Sequence, residues 1–399
     1  MESLLTFEEA QARILAAAHV LPAEQTPIGA AAGRVLAEDV RAVVDLPPFP
    51  SSAMDGYAVR AADLPGNLRI AGESAAGTPF AGTLGPGEAV AISTGAVVPD
   101  GADAVAAVEI VVKTANAIEV DRALDVGASV RRPGGDVRAG DVVAIAGSRL
   151  GAAGIAGLAA AGIPSVSCAR RPRVTVIATG SELVRPGEPL APGQIYEANT
   201  VMLAAALGVV GAEVEIAPSV ADDEGSLRAA LERGLEADVL VTSGGVSVGE
   251  HDLVREVERE LGVKESFWRV AIKPGKPLAF GTRGKTIVFG LPGNPVSALV
   301  GAELFVKPAL RALQGATEAL PRFEPGRVGA DVHGNVERDE FIRARARIGA
   351  DATVLDPLRG QESHMIATAS TADALVHVPR GNAAITAGSV VSWLRLNAP

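Results

Sequence analysis

Residues 237–252 read ADVLVTSGGVSVGEHD, and the fold can be worked out from them. An apolar run at 239–241 meets Thr242-Ser243-Gly244-Gly245, and the acidic residues Glu250 and Asp252 follow. Leu253, Val254, Val257 and Leu261 then recur at helical spacing. Strand, glycine-rich turn and helix is the arrangement by which an α/β sheet offers backbone N–H groups and a helix N-terminus to an anion. A plain tight turn needs neither two serines nor two carboxylates.

The alternation continues on both sides. Residues 174–178 form an apolar strand run ending in Thr179-Gly180-Ser181-Glu182. Asn199 is expected to cap a helix reaching Leu207, and residues 213–220 again read as a strand. Asp222-Asp223-Glu224 opens a helix whose apolar positions are Leu227, Ala230, Leu231 and Leu235, and Asp222 could simply cap it. Residues 267–272 and 286–290 read as further strands. Asn294-Pro295 begins one last long helix, with Asn as cap and Pro in the first turn. Strands alternating with helices predict a doubly wound, largely parallel sheet over 172–320. The loops after its strands then gather at one edge, where such sheets bind ligands.

Three further regions surround this one. Residues 1–50 and 147–171 are expected to form an N-terminal helical and linker part, its first helix capped by Thr6. Residues 51–146 read as an inserted small β domain with Asp55-Gly56 as a turn signal, closed by a strand at 142–145. Prolines in 45–50 force the extended connection between them. Residues 321–399 alternate at period two and predict a small, barrel-like antiparallel β domain. The fold class is α/β, multidomain.

Composition narrows the function. The 399 residues are 48% hydrophobic but only 3% aromatic, too few for base-stacking platforms, and a net charge of −11 opposes nucleic acid and anionic membranes. Cys168 is the single cysteine, so no intramolecular disulfide forms. The acidic amphipathic N-terminus and the absence of a long apolar run are those expected of a soluble cytoplasmic protein.

The sharpest basic feature is Ile272-Lys273-Pro274-Gly275-Lys276-Pro277. Two of only six lysines lie three residues apart on a backbone stiffened by proline, with Arg269 just upstream. An oxyanion such as phosphate, sulfate or molybdate suits such a cradle. Asp55, Asp136, Glu182, Asp222 and Asp252 each follow a turn or glycine-rich element, and carboxylates beside oxyanion binders point to Mg²⁺. No zinc spacing, no P-loop and no dinucleotide fingerprint is present. No serine–histidine or cysteine–histidine constellation stands out.

Seven motifs in order resemble the MoeA-type molybdopterin molybdenumtransferases, a family that includes the gephyrin E domain: SSAMDGYAVR (51–60), ISTGAVVPDGADAV (92–105), RRPGGDV (131–137), TGSEL (179–183), TSGGVSVGEHD (242–252), IKPGKP (272–277) and GLPGNPVSA (290–298). The resemblance implies an elongated homodimer of four-domain chains. It implies insertion of molybdate into adenylylated molybdopterin with release of AMP, assisted by Mg²⁺. Asp252, Asp222, Glu182 and Lys273 would be catalytic, with Asp222 and Asp252 on the metal. Asp55, Thr94, Asp136, Ser243, Gly244, Gly245, Arg269, Lys276, Arg343 and Ser363 would bind substrate, the last two with the lysines around molybdate. Arg269 stands where relatives often have lysine, and guanidinium and ammonium are not interchangeable. A molybdopterin adenylyltransferase and proteins delivering the cofactor to molybdoenzymes are compatible partners. An adenylyltransferase-like enzyme and a non-catalytic molybdopterin-binding scaffold are the alternatives.

Overall fold

A computed structural model describes residues 4–220, 223–245 and 253–396. Its centre is a six-stranded sheet in the order Glu213–Ile216, Arg173–Ala178, Val239–Ser243, Thr286–Leu291, Ala279–Arg283, Lys264–Trp268. The first four strands are parallel and the last two antiparallel. Side chains alternate across each strand, so Val239 and Val241 enter one core while Leu240 enters the other. The first core packs helix Asn199–Gly208 and the helices after Pro295, and the second packs Glu224–Gly234 and Leu253–Glu260. The sheet is therefore doubly wound. From Arg173–Ala178 the chain steps out to the edge strand Glu213–Ile216, then back to Val239–Ser243 on the other side. The winding reverses between Arg173–Ala178 and Val239–Ser243.

Several sequence expectations change in detail. The strand expected at 267–272 breaks at Arg269, whose φ of 79° no strand residue adopts. Ile272–Lys273 leaves the sheet and pairs with a strand of the C-terminal barrel instead. Asp223, not Asp222, caps its helix by accepting from Ser226 N at 2.9 Å. Asp222 lies outside the described residues. Asn199 does not cap; it is the first helical residue, with Ala198 at the cap position.

The long last helix is interrupted. Pro295–Gly301 and Lys307–Leu313 are α-helical, and Ala302–Val306 between them is a π segment. Pro308 has no N–H to give to the Leu304 carbonyl four residues earlier. The buried Gln11 side chain donates to that oxygen instead, at 2.8 Å. Gln11 belongs to Phe7–Ala17, a helix opened by a capping box between Thr6 and Glu9.

The inserted sheet runs in the order Ala104–Ala107, Gly56–Val59, Glu88–Ile92, Gly66–Ser74, Ala117–Val120, Val111–Lys113. Gly56 is not a hairpin turn but the first residue of a buried strand, and a Cβ there would run into the Ala106 carbonyl. Residues 142–145 do not close this sheet. Val142–Ala144 pairs with Val40–Arg41, and Val143 and Ala144 pack on the core of the N-terminal layer. That layer also holds the pair Ala23–Pro27 with Ser165–Ala169 and the helix Ala152–Ala160.

The C-terminal strands close on themselves. Phe323–Val328, Asp339–Ile348, Thr353–Pro357, Ala374–Val378 and Val390–Arg395 form a five-stranded barrel around buried Trp393. It is not wholly antiparallel, because Phe323–Val328 pairs in parallel with Thr353–Pro357. Among the described residues no helix is long and apolar enough to cross a membrane.

Candidate active site

The reversal of winding opens a cavity of about 580 Å³ at the C-terminal ends of the parallel strands. Glu182, Ser243, Gly244, Gly245, Pro277 and Gly293 are among the residues that line it. Gly244 and Gly245 turn the chain at the end of the central strand with φ values of 97° and 66°. Both positions also need the missing side chain: a Cβ on Gly244 would sit 2.6 Å from the Thr179 carbonyl oxygen, and one on Gly245 would enter Val254. The turn thus presses against the neighbouring strand end and the following helix. Beside it the Thr179 hydroxyl is buried without a hydrogen-bond partner.

Asn199 was read from sequence only as a cap. Its Nδ2 donates to Ser243 Oγ at 2.9 Å and to the Gly293 carbonyl at 2.7 Å, tying two loops of the cavity together. Glu197 takes over the capping, accepting from Thr200 N at 2.9 Å. An Asn opening a helix directly after a loop is the only trace of this role in the sequence, and it matches ordinary capping equally well. Glu182 lies over Gly180, where its Oε2 would be 2.5 Å from an added Cβ, and its carboxylate makes no hydrogen bond among the described residues.

The lysine loop lies at the seam with the barrel. Lys273 Nζ is 2.9 Å from Glu340 Oε1, whose other oxygen is buried without a partner. Pro277 of the same loop reaches the cavity wall, and Lys276 between them is half-buried. The GQESH loop approaches from the barrel side: the Ser363 carbonyl accepts from Val296 N at 3.0 Å, and Ile366 lines the cavity. Arg343 was expected on the anion itself. It is 1% exposed, and its guanidinium donates to the carbonyls of Gly360 at 2.8 Å and Glu362 at 3.4 Å. Burial lowers its pKa, with Glu362 opposing that. Arg343 therefore braces the loop that carries Ser363, and its Nε stays buried without a partner. Arg269 is also engaged elsewhere, its guanidinium carbon 3.7 Å above the Trp268 ring.

Asp55 and Thr94 do come together, but in the inserted sheet. Asp55 Oδ1 accepts from the Thr94 amide at 2.7 Å and from its hydroxyl at 3.0 Å. These bonds, the amide first, hold the Asp55 carboxyl below its ordinary value. Asp136 is exposed, and none of these three residues lines the cavity. Asp252 lies outside the described residues, as do Glu250 and His251. Burial pushes the Cys168 thiol pKa up, against a nucleophilic role.

Comparison with known proteins agrees with this architecture. Residues 5–162 match the MoeA N-terminal region (domains I and II), 175–312 a probable molybdopterin-binding domain, and 325–396 the MoeA C-terminal region (domain IV). A molybdopterin molybdenumtransferase of Haemophilus influenzae is 40% identical over 78% of each chain. Molybdopterin molybdenumtransferase 2 of Mycobacterium tuberculosis is 37% identical over 91% of this chain and 92% of its own. The crystal structure of the MoeA protein of Pyrococcus horikoshii superposes with a TM-score of 0.83 at 30% identity, covering 99% of this chain and 100% of that one. The chain belongs to the MoeA family of molybdopterin molybdenumtransferases.

Proposed function

We propose that this chain inserts molybdenum into molybdopterin, taking adenylylated molybdopterin and molybdate and releasing AMP. The observation that carries the reading is the cavity at the winding reversal, where a Gly-Gly turn, an unpartnered Thr179 hydroxyl and the lysine loop converge. Backbone N–H groups at Gly244 and Gly245 suit the substrate's phosphates. Lys273 and Lys276 supply the local positive charge that a dianionic molybdate needs, and Ser363 adds a hydroxyl from the barrel side. Holding both reactants in one site supplies proximity, which is where most of the acceleration in such a transfer would arise.

Mg²⁺ takes oxygen ligands, and the unpartnered Glu182 carboxylate is a donor of that kind. Among the described residues no group of three or more His, Cys, Asp or Glu surrounds one point, so a metal would draw on Asp222 and Asp252 as well. When bound, the ion would neutralise charge on the phosphoanhydride. Asp55, Thr94 and Asp136 lie off the cavity of their own chain, which favours a homodimer in which a second copy completes the site. Light scattering of the purified chain tests that.

The activity test is AMP release from adenylylated molybdopterin with Mg²⁺, with and without molybdate, by the wild type and by Asp252→Ala. Molybdate-dependent release that the variant loses supports the reading. Binding without release would make the chain a scaffold, and consumption of ATP with free molybdopterin would make it an adenylyltransferase.

A further inference from the structure

A second cavity, of about 590 Å³, lies where the N-terminal layer, the last helix and the barrel meet, and shares no lining residue with the first. Val35 and Arg149 come from the layer, Arg311 from helix Lys307–Leu313, and Leu394 from the barrel. Arg311 is half-buried and makes no hydrogen bond or ion pair among the described residues. Glu303, on the same wall, is already tied to Lys307 Nζ at 2.6 Å. Arg149, on the open side, gives one hydrogen bond, to the Val209 carbonyl at 2.8 Å. Glu318 and Glu324 also line the cavity, yet neither is ion-paired with an arginine. Burial lowers the pKa of Arg311 first of all; Glu303 opposes this and the Arg149 charge adds to it. Burial likewise lowers Arg149, with Arg171 adding to it.

Arg149 and Arg311 line one space and neither is ion-paired among the described residues, an arrangement that a bound anion stabilises. We propose that this cavity binds a phosphorylated small molecule, its phosphate held by Arg149 and Arg311. A dianion matches two fixed cations, the planar donors suit phosphate oxygens, and Val35, Val210 and Leu394 give the organic part an apolar wall. The volume suits a compact metabolite. Because the backbone of Thr317 donates to Gly147 O at 3.1 Å across the same junction, occupancy would tie the layer to the last helix more firmly.

The test is titration calorimetry of the full chain with inorganic phosphate and with phenyl phosphate, at ionic strength fixed with chloride. Affinity at one site should fall at least about tenfold in Arg311→Gln and in Arg149→Gln, stay unchanged in the exposed-surface variant Lys285→Gln, and be higher for phenyl phosphate than for phosphate, while Lys273→Gln weakens only oxyanion binding at the cleft. Unchanged affinity in both arginine variants, loss in Lys273→Gln alone, or no binding by the wild type overturns the proposal. Phenyl phosphate binding no tighter than phosphate overturns the organic-ligand assignment. If Arg311→Gln does not fold, Arg149→Gln at the open side decides alone.

Discussion

Lys273 and Glu340 form an ion pair across a domain boundary, Nζ to Oε1 at 2.9 Å, with the lysine 45% exposed and the glutamate 9%. The pairing follows from backbone register, since Ile272–Lys273 lies parallel to Asp339-Glu340 at the start of a barrel strand. Glu340 thereby fixes one of the two ammonium groups proposed to meet molybdate. Glu340→Gln keeps the shape but releases the lysine. The Michaelis constant for molybdate should rise, about tenfold for a lost charge-assisted contact, with kcat less affected. Steady-state kinetics with molybdate varied measures this, and an unchanged constant would remove Glu340 from the site.

The Gly-Gly turn makes a sharper test. Gly245→Ala adds a left-handed alanine, at about 1–2 kcal/mol, and drives its Cβ into Val254. Substrate binding should be lost with a clear fall in Tm. Gly187, at φ 96° with open space around it, is the control in which alanine brings strain alone. Equal behaviour of the two variants in thermal melts and binding would show that close packing at the turn is unimportant.

For Asp55 the prediction concerns pH. Its folded pKa lies below the ordinary value, so the stabilisation from the Thr94 bonds is present above the unfolded carboxylate pKa and disappears as pH falls through the folded one. Thr94→Val removes the hydroxyl bond and leaves the larger amide contribution. The Asp55 pKa should rise part of the way back toward normal, read by NMR titration of its carboxyl carbon. An unmoved curve would mean that the hydroxyl contributes nothing.

Gln11 tests the interrupted helix. Gln11→Ala leaves the Leu304 carbonyl buried and unpaired, a loss of about 1–3 kcal/mol. Calorimetry should record the drop while the cavity at the winding reversal keeps its ligands. No change in stability would mean that water replaces the amide.

These cases also mark how far sequence carries. The doubly wound sheet was legible because apolar strand runs such as 174–178 and 239–241 alternate with helical patterns. The Gly-Gly loop was legible as a turn, though the reason neither glycine can be replaced lies in Thr179 and Val254, which only folding brings there. Asn199 was misread because capping and loop bridging call for the same residue in the same place. Arg343 shows another limit: a motif marks a position, and only the structure shows the guanidinium held by the carbonyls of Gly360 and Glu362. The strand at 142–145 was given to the wrong neighbour, since a three-residue strand carries no information about its partner.

The inserted sheet has one more consequence. The chain leaves for it and returns from it at one spot, where Leu46 N donates to Val137 O at 2.7 Å and Asp136 N donates to Leu46 O at 2.9 Å. Topologically the sheet is a side branch, and the polypeptide on either side is already stitched together at the fork. Lengthening, shortening or exchanging the branch leaves the trunk's own strand pairings untouched. The domain that carries Asp55 and Thr94 can therefore change its own fold without disturbing the fold of the one that carries the cleft.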